Sequence, residues 1–201
     1  MSRQRVGEAL ARDGGPPVRE QFLIYGSPDI RQPEIDEVVA TLQGGWIGTG
    51  PRVSRFEQAF REYIGARHAV ALASCTAGLH LSLIALGVEP GDEVIVPSMT
   101  FVATANAVVH VGARPVLVDC DRETMNIDVA AVERALTPRT RVILPVHFAG
   151  RAADMTALRA LAAPRGLRIL EDAAHAVETE HAGRKVGTWG NIQILAFVFN
   201  F

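Results

Sequence analysis

The chain has 201 residues, 48% of them hydrophobic and 21% charged, with a formal net charge of −2. That length and apolar content suit one domain with a substantial core, and the charge balance leaves no electrostatic footprint for nucleic acid. Cys75 and Cys120 form neither a CxxC pair nor a disulfide framework, no apolar run reaches the roughly 18 residues of a membrane span, and the N-terminus lacks a signal-peptide core, so a soluble cytoplasmic chain is expected.

Residues 1–20 are polar and rich in Gly and Pro, which predicts a flexible leader; 21–201 read as one domain. Pro33–Leu42 is a predicted helix with Pro in its first turn and Ile35, Val38, Val39 and Leu42 on one face. Gly44–Gly50, GGWIGTG, is too glycine-rich for a regular element. It is either a connector or a segment whose amides and Thr49 approach a ligand. Arg52–Ile64 is a second helix, with Val53, Phe56, Phe60 and Ile64 spaced for one buried face.

Alternation follows. His68–Ala73, Glu93–Pro97, Arg114–Val118, Arg141–Pro145 and Leu167–Leu170 read as short apolar strands. Leu79–Leu86, Phe101–His110, Val129–Leu136 and Met155–Ala163 read as the helices between them, with a small-residue helix start at Ala173–Ala176. The pattern predicts an α/β fold with a mostly parallel sheet flanked by helices. His181–Gly190 is turn-rich. Ile192–Phe201 is apolar and β-prone, either a strand tucked into the sheet or an interrupted element.

Ligands of open α/β sheets bind beyond the carboxyl ends of the strands, so the residues there carry the chemistry. Glu171 and Asp172 follow the Leu167–Leu170 strand. An isolated buried carboxylate is costly, so Asp172 either faces a cation, such as a protonated heterocyclic nitrogen, or caps the next helix. Ser74–Gly78, SCTAG, combines hydroxyls with the free amides of a helix start; it is either an anion cradle suited to phosphate or an ordinary cap. Phe101 either stacks on a flat ligand or packs in the core. Cys75 is either a nucleophile or a buried structural thiol. His147 and His175 fit no zinc-ligand spacing. Phosphate cradle, aromatic and carboxylate together suit a flat, phosphorylated, pyridinium-bearing cofactor such as pyridoxal phosphate.

The ordered motifs GGWIGTGPRVSRFEQAF, ASCTAGLHLSLIALGVEPGDEVIVPSMTFVATANAV, GARPVLVDCD, LPVHFAG, ILEDAAHA and GTWGN resemble the first half of the DegT/DnrJ/EryC1/StrS family of pyridoxal-phosphate-dependent sugar aminotransferases. The resemblance implies the type I aminotransferase large domain, ending before the C-terminal small domain, and a homodimer with sites at the interface. It implies transfer of an amino group, from glutamate or glutamine, to a keto group of a nucleotide-linked sugar, in polysaccharide or deoxyamino-sugar biosynthesis. By motif, Thr76 and Ala77 would hold the cofactor phosphate, Phe101 would stack on the pyridine ring, Asp172 would pair with its nitrogen, and His175 would lie on the phenolic-oxygen side. Gly48 and Thr49 fall in the substrate-side loop.

The sequence departs from the family pattern near its end. Members usually continue as GDIGCFSF and then, a few residues on, the lysine that forms the Schiff base; here the text is GNIQILAFVFNF. Asn191 replaces an Asp, Ala196 stands where a phosphate-binding Ser is expected, and Phe201 falls on the lysine position. Phenylalanine can neither link the cofactor nor carry a proton. Lys185 is the sole lysine among 20 basic residues, in a polar turn upstream of that position, and is not expected to replace it. Two expectations follow: a truncated aminotransferase inactive on its own, or a non-catalytic remnant that binds cofactor or pairs with a full-length paralogue.

Overall fold

A computed structural model describes residues 9–21, 24, 26 and 28–194. The chain divides into two compact units, one reaching Ala40 and the other beginning at Thr41. The first contains a 3-10 turn, Ala11–Asp13, and most of helix α1, Gln32–Gln43. Ile35, Val38 and Val39 of α1 are exposed.

In the second unit, helices α2 (Pro51–Ile64) and α3 (Cys75–Ala85) precede the sheet. Then β1 (Glu93–Pro97), α4 (Val102–His110), β2 (Arg114–Val118), α5 (Val129–Ala135), β3 (Thr140–Ile143), α6 (Met155–Ala162) and β4 (Arg168–Asp172) alternate. A hairpin of β5 (Glu180–His181) and β6 (Arg184–Lys185) leads to β7 (Ile192–Ile194). The main sheet runs β2-β1-β3-β4-β7 with every pair parallel; β5 and β6 pair antiparallel.

Both sheet faces are buried, as continuous apolar strands require. Side chains alternate across each strand. Val94 and Val96 of β1, Val142 of β3 and Leu170 of β4 join Leu79, Leu83, Ala107 and Val108 under α3 and α4. Ile95, Ile143 and Ile169 point the other way, to Val132, Met155, Leu158 and Leu161 of α5 and α6. The chain leaves β1 toward β2 over one face and leaves β3 toward β4 over the other. The adjacent strands β1 and β3 therefore diverge, and the crevice beyond their carboxyl ends is a topological switch point where such sheets bind ligands.

Two expected elements are corrected. His68–Ala73 is no strand: the Ala71 N–H goes to Glu57 Oε1 at 2.8 Å instead of to a ladder, and Val70 and Leu72 are exposed. Ala173–Ala176 is a turn, not a helix start, because Asp172 belongs to β4 and its Oδ1 accepts the Ala174 N–H at 3.2 Å. The chain then bends again, Thr179 N–H to Ala176 O, toward the hairpin. Helix α3 also begins earlier than Leu79, since Ser74 caps it. Past Ile194 the expected Ile192–Phe201 strand, with Ala196 and Phe201, lies outside the described residues.

Candidate functional site

Asp172 ends β4, anchored by its own backbone: its N–H donates to Pro145 O at 2.9 Å, and its carbonyl accepts the His147 N–H at 3.0 Å. Asp172 is 5% exposed. Oδ2 accepts the Thr104 hydroxyl at 3.0 Å and Oδ1 the Ala174 amide. Burial raises the carboxyl above its ordinary value; these two hydrogen bonds and the nearby His175 and His147 act against it without reversing it. An acid held dry at a strand end, with lone pairs to spare, suits a cationic partner.

The start of α4 meets this carboxylate, and the start of α3 lies within reach of its charge. Thr104 lies in the first turn of α4, and its amide donates to Phe101 O at 3.0 Å. Phe101 itself is 73% exposed, so it does not pack in the core and presents a free ring. At α3, Ser74 Oγ accepts the Ala77 N–H at 3.1 Å. The capping reading of Ser74 is thus realised, and the Ala77 amide already has an acceptor. Thr76 is exposed one residue before it. Cys75 packs on the core, and burial, with the Asp172 charge behind it, pushes its thiol up to about 12. Such a thiol stays protonated and is structural. His175 is exposed in the turn after Asp172, its ring edge-on to Phe148 with centroids 6.4 Å apart.

Glu171, facing away from Asp172, holds the other side of the strand end. It is fully buried and accepts four donors: Gly187 N–H at 2.6 Å, Trp189 N–H at 2.8 Å, Gly190 N–H at 2.5 Å and His147 Nε2 at 3.1 Å. His147 Nδ1 accepts the Ala153 N–H at 3.0 Å, which fixes the proton on Nε2. A Cβ on Gly190 would stand 2.7 Å from Ile169 O, so only glycine allows this approach. Asn191 Oδ1 then accepts the Ile169 N–H at 2.9 Å. An acceptor oxygen is all that contact needs, so Asn does there what an Asp would do.

Gly48 and Thr49 lie in a surface turn that Trp46 closes, its Nε1 donating to Thr49 O at 2.8 Å. None of the contacts above reaches them. Lys185 Nζ is 3.2 Å from Tyr63 Oη, 3.6 Å from Glu178 and 4.4 Å above the Tyr63 ring. Among the described residues no group of three or more His, Cys, Asp or Glu could hold a metal, and no helix is long and apolar enough to cross a membrane. Sequence reasoning missed Thr104 and the amide cradle of Glu171. The run ATANA after Phe101 offers no charged or aromatic signal, and the partners of Glu171 come from a distant turn.

A parallel sheet with its buried acid, exposed aromatic and capped helix at the strand ends is the large-domain architecture of aminotransferases. The chain belongs to the DegT/DnrJ/EryC1/StrS aminotransferase family, whose pattern matches residues 28–200. It is 49% identical over 179 residues to the spore coat polysaccharide biosynthesis protein SpsC of Bacillus subtilis, covering 89% of this chain and 46% of that protein. The aminotransferase TlmJ of Streptoalloteichus hindustanus superposes with a TM-score of 0.81 at 40% identity, over 85% of this chain and 47% of that one. Spr1654 of Streptococcus pneumoniae, proposed to be a sugar aminotransferase and solved in a PLP form, superposes with a TM-score of 0.84 at 37% identity, over 88% and 49%. The chain spans about half the length of these relatives.

Proposed function

We propose that this chain binds pyridoxal phosphate and serves the transfer of an amino group, from glutamate or glutamine, to a keto group of a nucleotide-linked sugar in polysaccharide or deoxyamino-sugar biosynthesis. The observation that carries the reading is Asp172: a buried, raised carboxyl with free lone pairs at the strand ends. When bound, the cofactor supplies an electron sink for the carbon that loses its proton. Asp172 holds the ring nitrogen protonated by charge. Phe101 covers one ring face. Thr76, with the amides around Ala77, receives the phosphate at the start of α3, where the helix dipole favours an anion. His175 lies toward the phenolic oxygen, and Gly48 and Thr49 belong to the substrate side. In this reading the protein is a cytoplasmic homodimer.

The test is a titration of the purified chain with pyridoxal phosphate, followed by absorbance and fluorescence. Saturable binding, weakened about tenfold or more by Asp172→Asn, is the expected result, since a charge-assisted contact contributes about 1.5–3 kcal/mol. No binding, or binding indifferent to that substitution, would overturn it.

A second reading is a cofactor-binding chain without catalysis that pairs with a full-length paralogue. The sequence feature in its favour is Phe201, which the family resemblance sets where the cofactor-linking lysine is expected. It predicts binding without conversion of glutamate to 2-oxoglutarate.

A further inference from the structure

Thr104 is 1% exposed, and its one hydroxyl proton has two claimants. Asp172 Oδ2 lies 3.0 Å away and Thr100 Oγ1 lies 2.7 Å away. An ionised carboxylate only accepts, so Thr104 donates to Asp172, and Thr100 must donate to Thr104. The chain of hydrogen bonds has one direction, from the β1–α4 loop through the first turn of α4 to the end of β4. The Ala174 amide is the second protein donor to the carboxylate. Among the described residues no third donor reaches it.

We infer that Thr104 is a positioning residue: its hydroxyl, oriented by Thr100, holds the Asp172 carboxylate ionised and in one rotamer, with its free lone pairs turned toward a cationic ring nitrogen. The last clause rests on the cofactor reading above; the relay itself does not.

The titratable groups whose charge reaches Asp172 are His175 in the turn after it, His147 in the segment that follows β3, and Cys75 at the start of α3. Desolvation pushes Asp172 toward its neutral form, and the Thr104 donor opposes it. Valine has the shape of threonine without the hydroxyl. Thr104→Val leaves Asp172 with the Ala174 amide alone, so its titration should move up. Thr104→Ser keeps the donor.

The experiment is a carbon-detected NMR titration of the Asp172 carboxyl in the full 201-residue chain, assigned by loss of the signal in Asp172→Asn, with pyridoxal phosphate affinity measured on the same samples. Thr104→Val should raise the midpoint by about one pH unit and weaken binding several-fold. Thr104→Ser should restore both, and Thr100→Val should produce a smaller shift in the same direction. An unchanged midpoint in folded Thr104→Val, or a Ser variant no better than Val, would overturn the inference. A shifted midpoint in a chain that never binds the cofactor would uphold the relay and overturn the reading of the site.

Discussion

His147 Nε2 lies 3.1 Å from Glu171 Oε2, and neither side chain is exposed. Because Nδ1 is occupied by the Ala153 amide, the imidazole donates from Nε2 and the carboxylate accepts. The pair thus ties the segment after β3 to β4 and, through the three amides of Gly187, Trp189 and Gly190, to the turn before β7. Glu171→Gln replaces one acceptor oxygen by a donor that faces other donors. A buried donor left unpaired costs about 1–3 kcal/mol. Urea unfolding should show that loss, and hydrogen exchange should quicken at Gly187, Trp189 and Gly190 before the rest of the sheet.

The same cluster shows what can be read from a sequence. Strands β1 and β2 are legible to their end residues because their apolar runs are bounded by Gly-containing turns on the N-terminal side and polar residues beyond. Asp172 and Phe101 are legible as candidates because charge and aromaticity at a strand end are local facts. His68–Ala73 misleads, since an apolar run becomes a strand only when a neighbour offers a ladder. Glu171 depends on partners 16 to 24 residues away, and Thr104 matters through Asp172, 68 residues away. No spacing rule carries that information.

Asp172 should weaken the chain that it equips. A carboxyl whose native value lies above its unfolded one contributes stability below the unfolded value and loses it as pH rises through the native one. Burial raises Asp172, so at neutral pH its ionised form opposes folding. Asp172→Asn should therefore stabilise the cofactor-free chain at pH 7 by about 0.5–2 kcal/mol, while it weakens pyridoxal phosphate binding. The gain should vanish below about pH 3.9, where the aspartate is neutral in both states. Urea midpoints at pH 7 and pH 3.5 check the sign, and a loss of stability at pH 7 would contradict it.

Glu93 has the opposite sign. Thr137 donates to its Oε2 at 2.6 Å, Arg139 reaches its Oε1 at 2.6 Å, and Arg114 lies 3.5 Å away. These contacts, Thr137 first, hold its carboxyl below the ordinary value. Its stability is present above the unfolded value, about 4.3, and is lost as pH falls through the native one. Glu93→Gln should lower the unfolding midpoint at pH 7, and the gap to the unsubstituted chain should shrink as pH falls through the native value.

Lys185 should take no part in cofactor linkage. The hydrogen bond to Tyr63, then the charges of Glu178 and Glu180, raise its ammonium above the ordinary value. Attack on an aldehyde needs the free amine. After pyridoxal phosphate and borohydride at pH 7, peptide mapping should find Lys185 unmodified. A stoichiometric adduct there would show that this pairing opens, and would restore an amine to the chemistry.

Cys75 should resist alkylation although it sits at the start of a helix, a place where thiols are usually activated. Two terms compete. The α3 dipole favours a thiolate, whereas burial and the Asp172 charge disfavour it, and the second pair wins, with the thiol at about 12. At pH 8 that leaves on the order of one thiolate in ten thousand, against roughly a quarter for an ordinary cysteine. The native chain treated with iodoacetamide at pH 8 should react at Cys75 about a thousandfold more slowly than the unfolded chain. Asp172→Asn removes the smaller cause and should speed the reaction only modestly. If that variant reacted as fast as unfolded protein, electrostatics rather than burial would govern the thiol, and Cys75 would lie much closer to the carboxylate's field than to the core.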